Sequence, residues 1–217
     1  MVEGEYVYCI IPRNNALTGF TVKGFEGNQV YAMPFKDLCI VLSKATVKDY
    51  KPTDENIALQ RDVSLDVMKN HSVLPVAFGQ VFKNKKILLH NLHKIYLILK
   101  RSMMAMKNKV ELGVKLIIPE NDKEEFFNGK SLEEARKDAE NIFLKSLEEL
   151  AVKVKNNELF SERLLLNQSY LVDKENIDKF SVEVEKLTRH FPMLKTQYSG
   201  PWPPYNFVSI RIQGRGG

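Results

Sequence analysis

The sequence predicts an α+β protein whose second half has a ferredoxin-like order of elements. Three observations carry that prediction. The first 45 residues read as a small sheet. From about Lys109 onward, strand-like runs alternate with two strong amphipathic helical patterns as β-α-β-α-β, with room for one more strand. A chain of 217 residues, 44% apolar and 27% charged, can bury a real core, as one large domain or two small ones. The element order places the boundary near residue 108. It gives an N-terminal α+β sheet-plus-helix domain over 1–108, a C-terminal ferredoxin-like domain over 109–212 and a tail over 213–217.

Each element rests on a local pattern. "EYVYCII" (Glu5–Ile11) is a first strand, ended by Pro12 and the turn-like "RNN". "TGFTVKGFEGNQVYAMPF" carries two short β-type runs broken by Gly24 and Gly27. "DLCIVLSKA" is a continuous apolar run, which suits a strand covered on both faces. Thr53 caps a helix with Asp54 and Glu55 in its first turn, where the dipole favours anions; Ile57, Val63 and Val67 share a face. "SVLPVAFGQVF" is a short apolar segment holding Pro75 and Gly79. A long helix starts at Asn84, with Leu88, Leu92, Ile95 and Leu99 at helical spacing. Leu89, Tyr96 and Met103 widen its stripe, which implies burial on more than one side.

In "VELGVKLII", Val110, Leu112, Val114, Leu116 and Ile118 alternate as in a strand, and Pro119 ends it. "ENDKEEFFNGK" is an acidic insertion. In the next helix Ser131 and Glu134 form a capping box. Leu132, Ala135, Ala139, Ile142, Phe143, Leu147, Leu150 and Val154 trace its face. "ERLLLNQSYLV" supplies one strand or two. Asp173 caps the last helix, whose Ile177, Phe180, Val184, Leu187 and Phe191 share a face before Pro192. "MLKTQYS" and "YNFVSIRI" are β-like runs on either side of a proline-rich corner, and the tail "QGRGG" has nothing to pack.

Composition excludes several classes of function. The N-terminus is acidic and breaks at Pro12, so it lacks the form of an export signal. No apolar run is long enough to span a bilayer. Cys9 and Cys39, in strand-like apolar runs of a chain without such a signal, read as buried thiols of a cytosolic protein. The net charge of +5 is spread along the chain and permits acidic partners without arguing for them. His90 and His93 stand at i,i+3 but lack further ligands, so no metal site is expected; one histidine reads as buried and the other as wet. "GFEG" and "FNGK" do not match phosphate-loop spacing. Lys83, Lys85, Lys86, Lys100 and Arg101 make basic clusters, but the aromatic strand motif of an RNA-binding sheet is missing. No catalytic residue, cofactor or small-molecule substrate is expected. A binding or assembly protein is the default, with an RNA- or small-ligand-binding regulatory module as the alternative.

The segment "YSGPWPPYNFV" (Tyr198–Val208) concentrates what is unusual. Pro201, Pro203 and Pro204 cannot occupy a central strand. They hold Trp202 and Tyr205 at set angles, and Trp202–Pro203 is a candidate cis bond. Two readings stand side by side: Trp202 covers an edge of its own core, or the corner is a rigid aromatic anchor for a protein partner.

"YSGPWPPYNFV", preceded by "LLLNQSYLV" and, much earlier, by "VLPVAFGQVF", resembles the gas vesicle protein F/L family (GvpF/GvpL). "EYVYCII" and "KVELGVKLI" match its first strand and the strand that opens its second half, so the resemblance spans nearly the whole chain. These motifs do not separate F from L. The resemblance implies two domains, the second a modified ferredoxin-like fold with extra helices, and no catalysis. It implies an accessory or minor structural role in building gas vesicles, with the hydrophobic shell protein GvpA and other gas vesicle accessory proteins as partners, and neither nucleic acid nor membrane. Trp202, Tyr205 and Phe207 are then the first candidates for the partner contact, and Phe78 the second.

Overall fold

The computed structural model describes residues 2–13, 20–119 and 131–212. The acidic insertion read at 120–130 and the tail from 213 lie outside the described residues. The chain divides into two compact units, Met1–Lys107 with Pro203–Gly217, and Asn108–Trp202. The sequence reading ran the second domain to residue 212. In the structure the chain after Trp202 groups with the first unit.

The first unit is built on an antiparallel sheet. Its strands are β1 (Glu3–Pro12), β2 (Val30–Phe35), β3 (Leu38–Thr46) and the two-residue β4 (Leu74–Pro75) and β5 (Val81–Phe82). The order is β2-β3-β1-β4, with β5 also on β1. Gly4–Ile11 and Leu38–Ser43 are buried at every position, so the centre of the sheet is covered on both faces. That accounts for the unbroken apolar run of β3. Between β1 and β2, one pair among the described residues, Lys23↔Gln29, bridges; Phe25–Gly27 is a 3-10 turn. Gly24 is a glycine because a Cβ there has no room beside Tyr8 and Ser43. The β2–β3 turn puts Lys36 at φ 53°, and its ammonium sits 3.8 Å from the Tyr96 ring centre.

Two helices complete the unit. Helix α1 (Asp54–Met68) is capped by Thr53, whose side chain accepts from the Asn56 amide. Val63 and Val67 are buried, but Ile57 is 45% exposed, because at 3.6 residues per turn it points about 120° around the helix from Val63. Helix α2 (Lys85–Met106) is capped by Asn84 and buries Leu88, Leu92, Leu99, Met103 and Met106. Each such side chain contributes roughly 1.5–3 kcal/mol. The expectation of burial on more than one side does not hold: Leu97, Ile98 and Met104 are 66%, 57% and 68% exposed. His90 and His93 are both exposed. His93 spends its Nδ1 on the Leu89 carbonyl at 2.7 Å and packs edge-on against Phe35.

The second unit contains β6 (Lys109–Ile117), α3 (Leu132–Glu148), β7 (Lys153–Asn156), β8 (Leu164–Asp173), α4 (Ile177–His190) and β9 (Lys195–Trp202). The antiparallel order is β7-β8-β6-β9, the ferredoxin-like arrangement. β7 fills the place left for one more strand. Val110, Leu112, Val114 and Leu116 of β6 are buried, as are Ala135, Ala139, Phe143 and Leu147 of α3 and Phe180, Val184 and Leu187 of α4. Alternation and helical period therefore describe this core well.

The departures are local. Helix α3 ends at Glu148 rather than near Val154, which belongs to β7, and Ile142 is 41% exposed. Asp173 does not cap α4: a 3-10 turn, Lys174–Asn176, intervenes, and Asp173 pairs with Lys109 at 3.4 Å. That turn adds a helical element to the two helices α3 and α4. Pro201 lies in β9, an edge strand, where its missing N–H is tolerated.

Candidate protein-interaction surface

The proline corner is where the chain leaves one unit for the other. Pro203 and Pro204 are buried. Their carbonyls accept from the turn that follows: Tyr205 N donates to Pro203 O at 2.7 Å, and Phe207 N and Val208 N donate to Pro204 O at 3.1 and 3.2 Å. So "YNFVSIRI" begins as a turn, not a strand, and only Ile210 bridges, in parallel with Val76. Ala77 N donates to Ile210 O at 2.8 Å, and Ile212 N donates to Gln80 Oε1 at 2.8 Å. These bonds stitch the C-terminal segment to the 74–82 loop.

The stitching places three of the four candidate residues in one region of the first unit. Phe78 follows Ala77 and is half-buried; Phe207 is half-buried; Tyr205 is 39% exposed. Gly79, next to Phe78, takes φ +80° and donates its N–H to the Tyr6 hydroxyl at 3.0 Å. Burial pushes the Tyr6 phenol well above its ordinary range, and Tyr205 is one of the neighbours that adds to the rise. Tyr205 thus lies near the buried ring cluster of Tyr6, Tyr8, Phe25 and Tyr50.

Trp202 is the last residue of β9 and belongs to the second unit, where it pairs opposite Glu111 and is half-buried. The residue two places before it must be glycine: Gly200 takes φ +114°, and a Cβ there would stand 2.8 Å from the Glu111 carbonyl oxygen. The cis bond is Gly200–Pro201, not Trp202–Pro203. In the second unit, Phe160 is 73% exposed, with the Lys115 ammonium 5.4 Å from its ring centre. A small cavity of about 100 Å³ is lined by Leu159, Leu165 and Leu166 together with Arg136, Glu140 and Gln168.

Sequence reasoning missed the outer face of α2. Lys100 and Arg101 read as a basic cluster, and the stripe widened by Leu89, Tyr96 and Met103 implies burial on more than one side, but Leu97, Ile98 and Met104 are not singled out. The available signal was the width of the apolar stripe, too broad for one buried face.

Comparison with known proteins settles the family. The profile described as "Gas vesicle synthesis protein GvpL/GvpF" matches residues 4–130 and 124–209. The chain belongs to the GvpL/GvpF family. Gas vesicle protein F1 of Halobacterium salinarum is 33% identical over 216 residues, 98% of this chain and 96% of the relative. Gas vesicle protein F of Haloferax mediterranei is 30% identical over 217 residues, again 98% and 96%. The crystal structure of GvpF from Anabaena sp. PCC7120 superposes with a TM-score of 0.88 at 21% identity, covering 99% of this chain and all of that one. The GvpL/GvpF fold therefore extends over the whole chain, and the protein is gas vesicle-associated. No helix among the described residues is long and apolar enough to cross a membrane. No group of three or more His, Cys, Asp or Glu side chains among them is placed to hold a metal, and Cys9 and Cys39 are free and buried.

Proposed function

We propose that this protein is a non-catalytic accessory or minor wall component of gas vesicles. It acts in the cytoplasm, binding the hydrophobic shell protein GvpA and other gas vesicle proteins during nucleation or wall formation. The observation that carries the reading is the GvpL/GvpF match along nearly the whole chain. A subunit with a strongly apolar face aggregates in water, so a growing wall needs a protein that shields and delivers it. A preformed aromatic surface suits that task, because little side-chain freedom remains to be lost on binding. Phe78, Tyr205 and Phe207 supply such a surface on the first unit, held by the Pro203–Pro204 turn. Trp202 supplies a second aromatic position, on the other unit.

The test measures binding of purified GvpA to the full chain and to Tyr205→Ala, Phe207→Ala and Trp202→Ala, each checked for folding by circular dichroism. Replacing an aromatic anchor is expected to weaken binding at least about tenfold. Unchanged binding by a folded variant rejects that position. Absence of binding by the unaltered protein rejects GvpA as the partner.

A further inference from the structure

Helix α2 carries no Asp or Glu and five basic residues, Lys85, Lys86, Lys94, Lys100 and Arg101. Two of these are engaged within the unit: Lys85 lies 5.2 Å from the Tyr31 ring centre, and Lys100 pairs with Asp37 at 3.3 Å. Lys86, Lys94 and Arg101 are exposed and form no ion pair with another described residue. Interleaved with them are the exposed apolar side chains of α2, namely Leu97, Ile98, Met104 and, at 39%, Ile87.

The order of these side chains around the helix decides what fits. At 3.6 residues per turn, Leu97 and Met104 lie about 40–60° to one side of Arg101, and Ile98 lies about 60° to the other. Lys94 lies within about 20° of the line of Arg101, roughly two turns earlier. The cations therefore run down the middle of the apolar strip. A helix that rests on a bilayer keeps its cations on its polar face, above the apolar one. Here any surface that covers the strip covers the cations too, and a covered cation without a counter-charge is strongly disfavoured.

We propose that the outer face of α2 docks an amphipathic helix of another polypeptide in which carboxylates interrupt an apolar stripe. Its Asp or Glu side chains pair with Lys94 and Arg101, and its aliphatic side chains cover Leu97, Ile98 and Met104. The acid-free composition of α2 excludes a like-charged partner and fixes the sign of its complement. This surface rests on exposure and charge alone, independently of whether GvpA binds at the aromatic region.

The experiment uses the full chain and three probes. One is a synthetic helical peptide with a leucine stripe interrupted by glutamates, one is the same peptide with lysines in place of the glutamates, and one is a phosphatidylserine–phosphatidylcholine vesicle. The glutamate peptide is expected to bind, more weakly as salt rises. The Lys94→Glu, Arg101→Glu double variant should lose at least tenfold for the glutamate peptide and gain binding of the lysine peptide. Leu97→Ser with Met104→Ser should weaken the glutamate peptide and leave its salt dependence in place. All four positions are exposed, and Lys94→Gln with Arg101→Gln repeats the loss if the charge reversals do not fold. Equal binding of the two peptides, binding of neither, or binding of vesicles without binding of the glutamate peptide overturns the proposal.

Discussion

The two units bury tyrosines for different purposes. In the first, sheet tyrosines hold loop backbone: the Tyr8 hydroxyl accepts from Phe25 N at 2.8 Å, and the Tyr6 hydroxyl accepts from Gly79 N at 3.0 Å while donating to Gln60. In the second, Tyr170 donates to Gln168 two residues back in its own strand, and the chain of bonds continues through Asn156 to Glu140 near the surface. One unit uses its polar core to fix irregular connections. The other is a regular layer of helices on a sheet, with a polar network at one edge. Phe78 stands in one of the loops fixed in this way, beside Gly79.

The largest test of this contrast lies in the apolar layer. Phe180 is fully buried against Tyr170, 5.0 Å between ring centres. Phe180→Ala should cost about 3–5 kcal/mol through lost contacts and the cavity left behind. Hydrogen exchange by peptide is expected to show protection falling over 109–117 and 164–173, with 3–11 and 38–46 unchanged. Equal loss in both regions would mean that the units open as one, and their separate description would fail.

A smaller effect sharpens the comparison. Tyr8→Phe leaves the buried Phe25 N–H without its acceptor, a loss of about 1–3 kcal/mol. Tyr170→Phe removes one side-chain partner that Gln168 can replace through water, and should cost under about 1 kcal/mol. Urea unfolding of the two variants measures the difference. Equal costs would contradict the distinct role assigned to the tyrosines of the first unit.

Legibility in the sequence follows the same divide. Strict alternation in Val110–Ile118 and helical spacing in Phe180–Leu187 correspond to side chains that share one core, so the pattern and the structure agree. In the first unit β4 and β5 have two residues each, too short for any period. Pairing there is set by Gln80, Ile210 and Ile212, residues far apart in the chain. Asp173 has the chemistry of a cap, but Lys109 engages its carboxylate. On α2, Leu97 and Ile98 look like core because apolar character does not tell which faces are covered. The family was legible in the proline corner, whereas the assignment of Trp202 to one unit and of Tyr205 and Phe207 to the other was not, because adjacency in sequence does not reveal where the chain changes unit.

The smallest predicted effect concerns a staple of the first unit. Asp66 of α1 accepts from Thr21 N and Oγ1, each at 3.1 Å, and from Val22 N, and it pairs with Lys69 at 2.9 Å. Burial pushes its carboxyl up, but the Lys69 ammonium and the Thr21 and Val22 donors outweigh that and hold it below the usual carboxylate range. The charged form is therefore favoured by folding. Its contribution is complete above the unfolded value of about 3.9 and is lost as pH falls through the lower folded value. Because Lys69 is largely exposed, the effect should stay under about 1 kcal/mol. Thermal melts between pH 6 and 2.5 are expected to separate the native protein from Asp66→Asn at neutral pH and to converge in acid. Parallel curves would show that the segment at Thr21–Val22 is held by something other than this carboxylate, and that the first unit does not depend on polar fixing at this point.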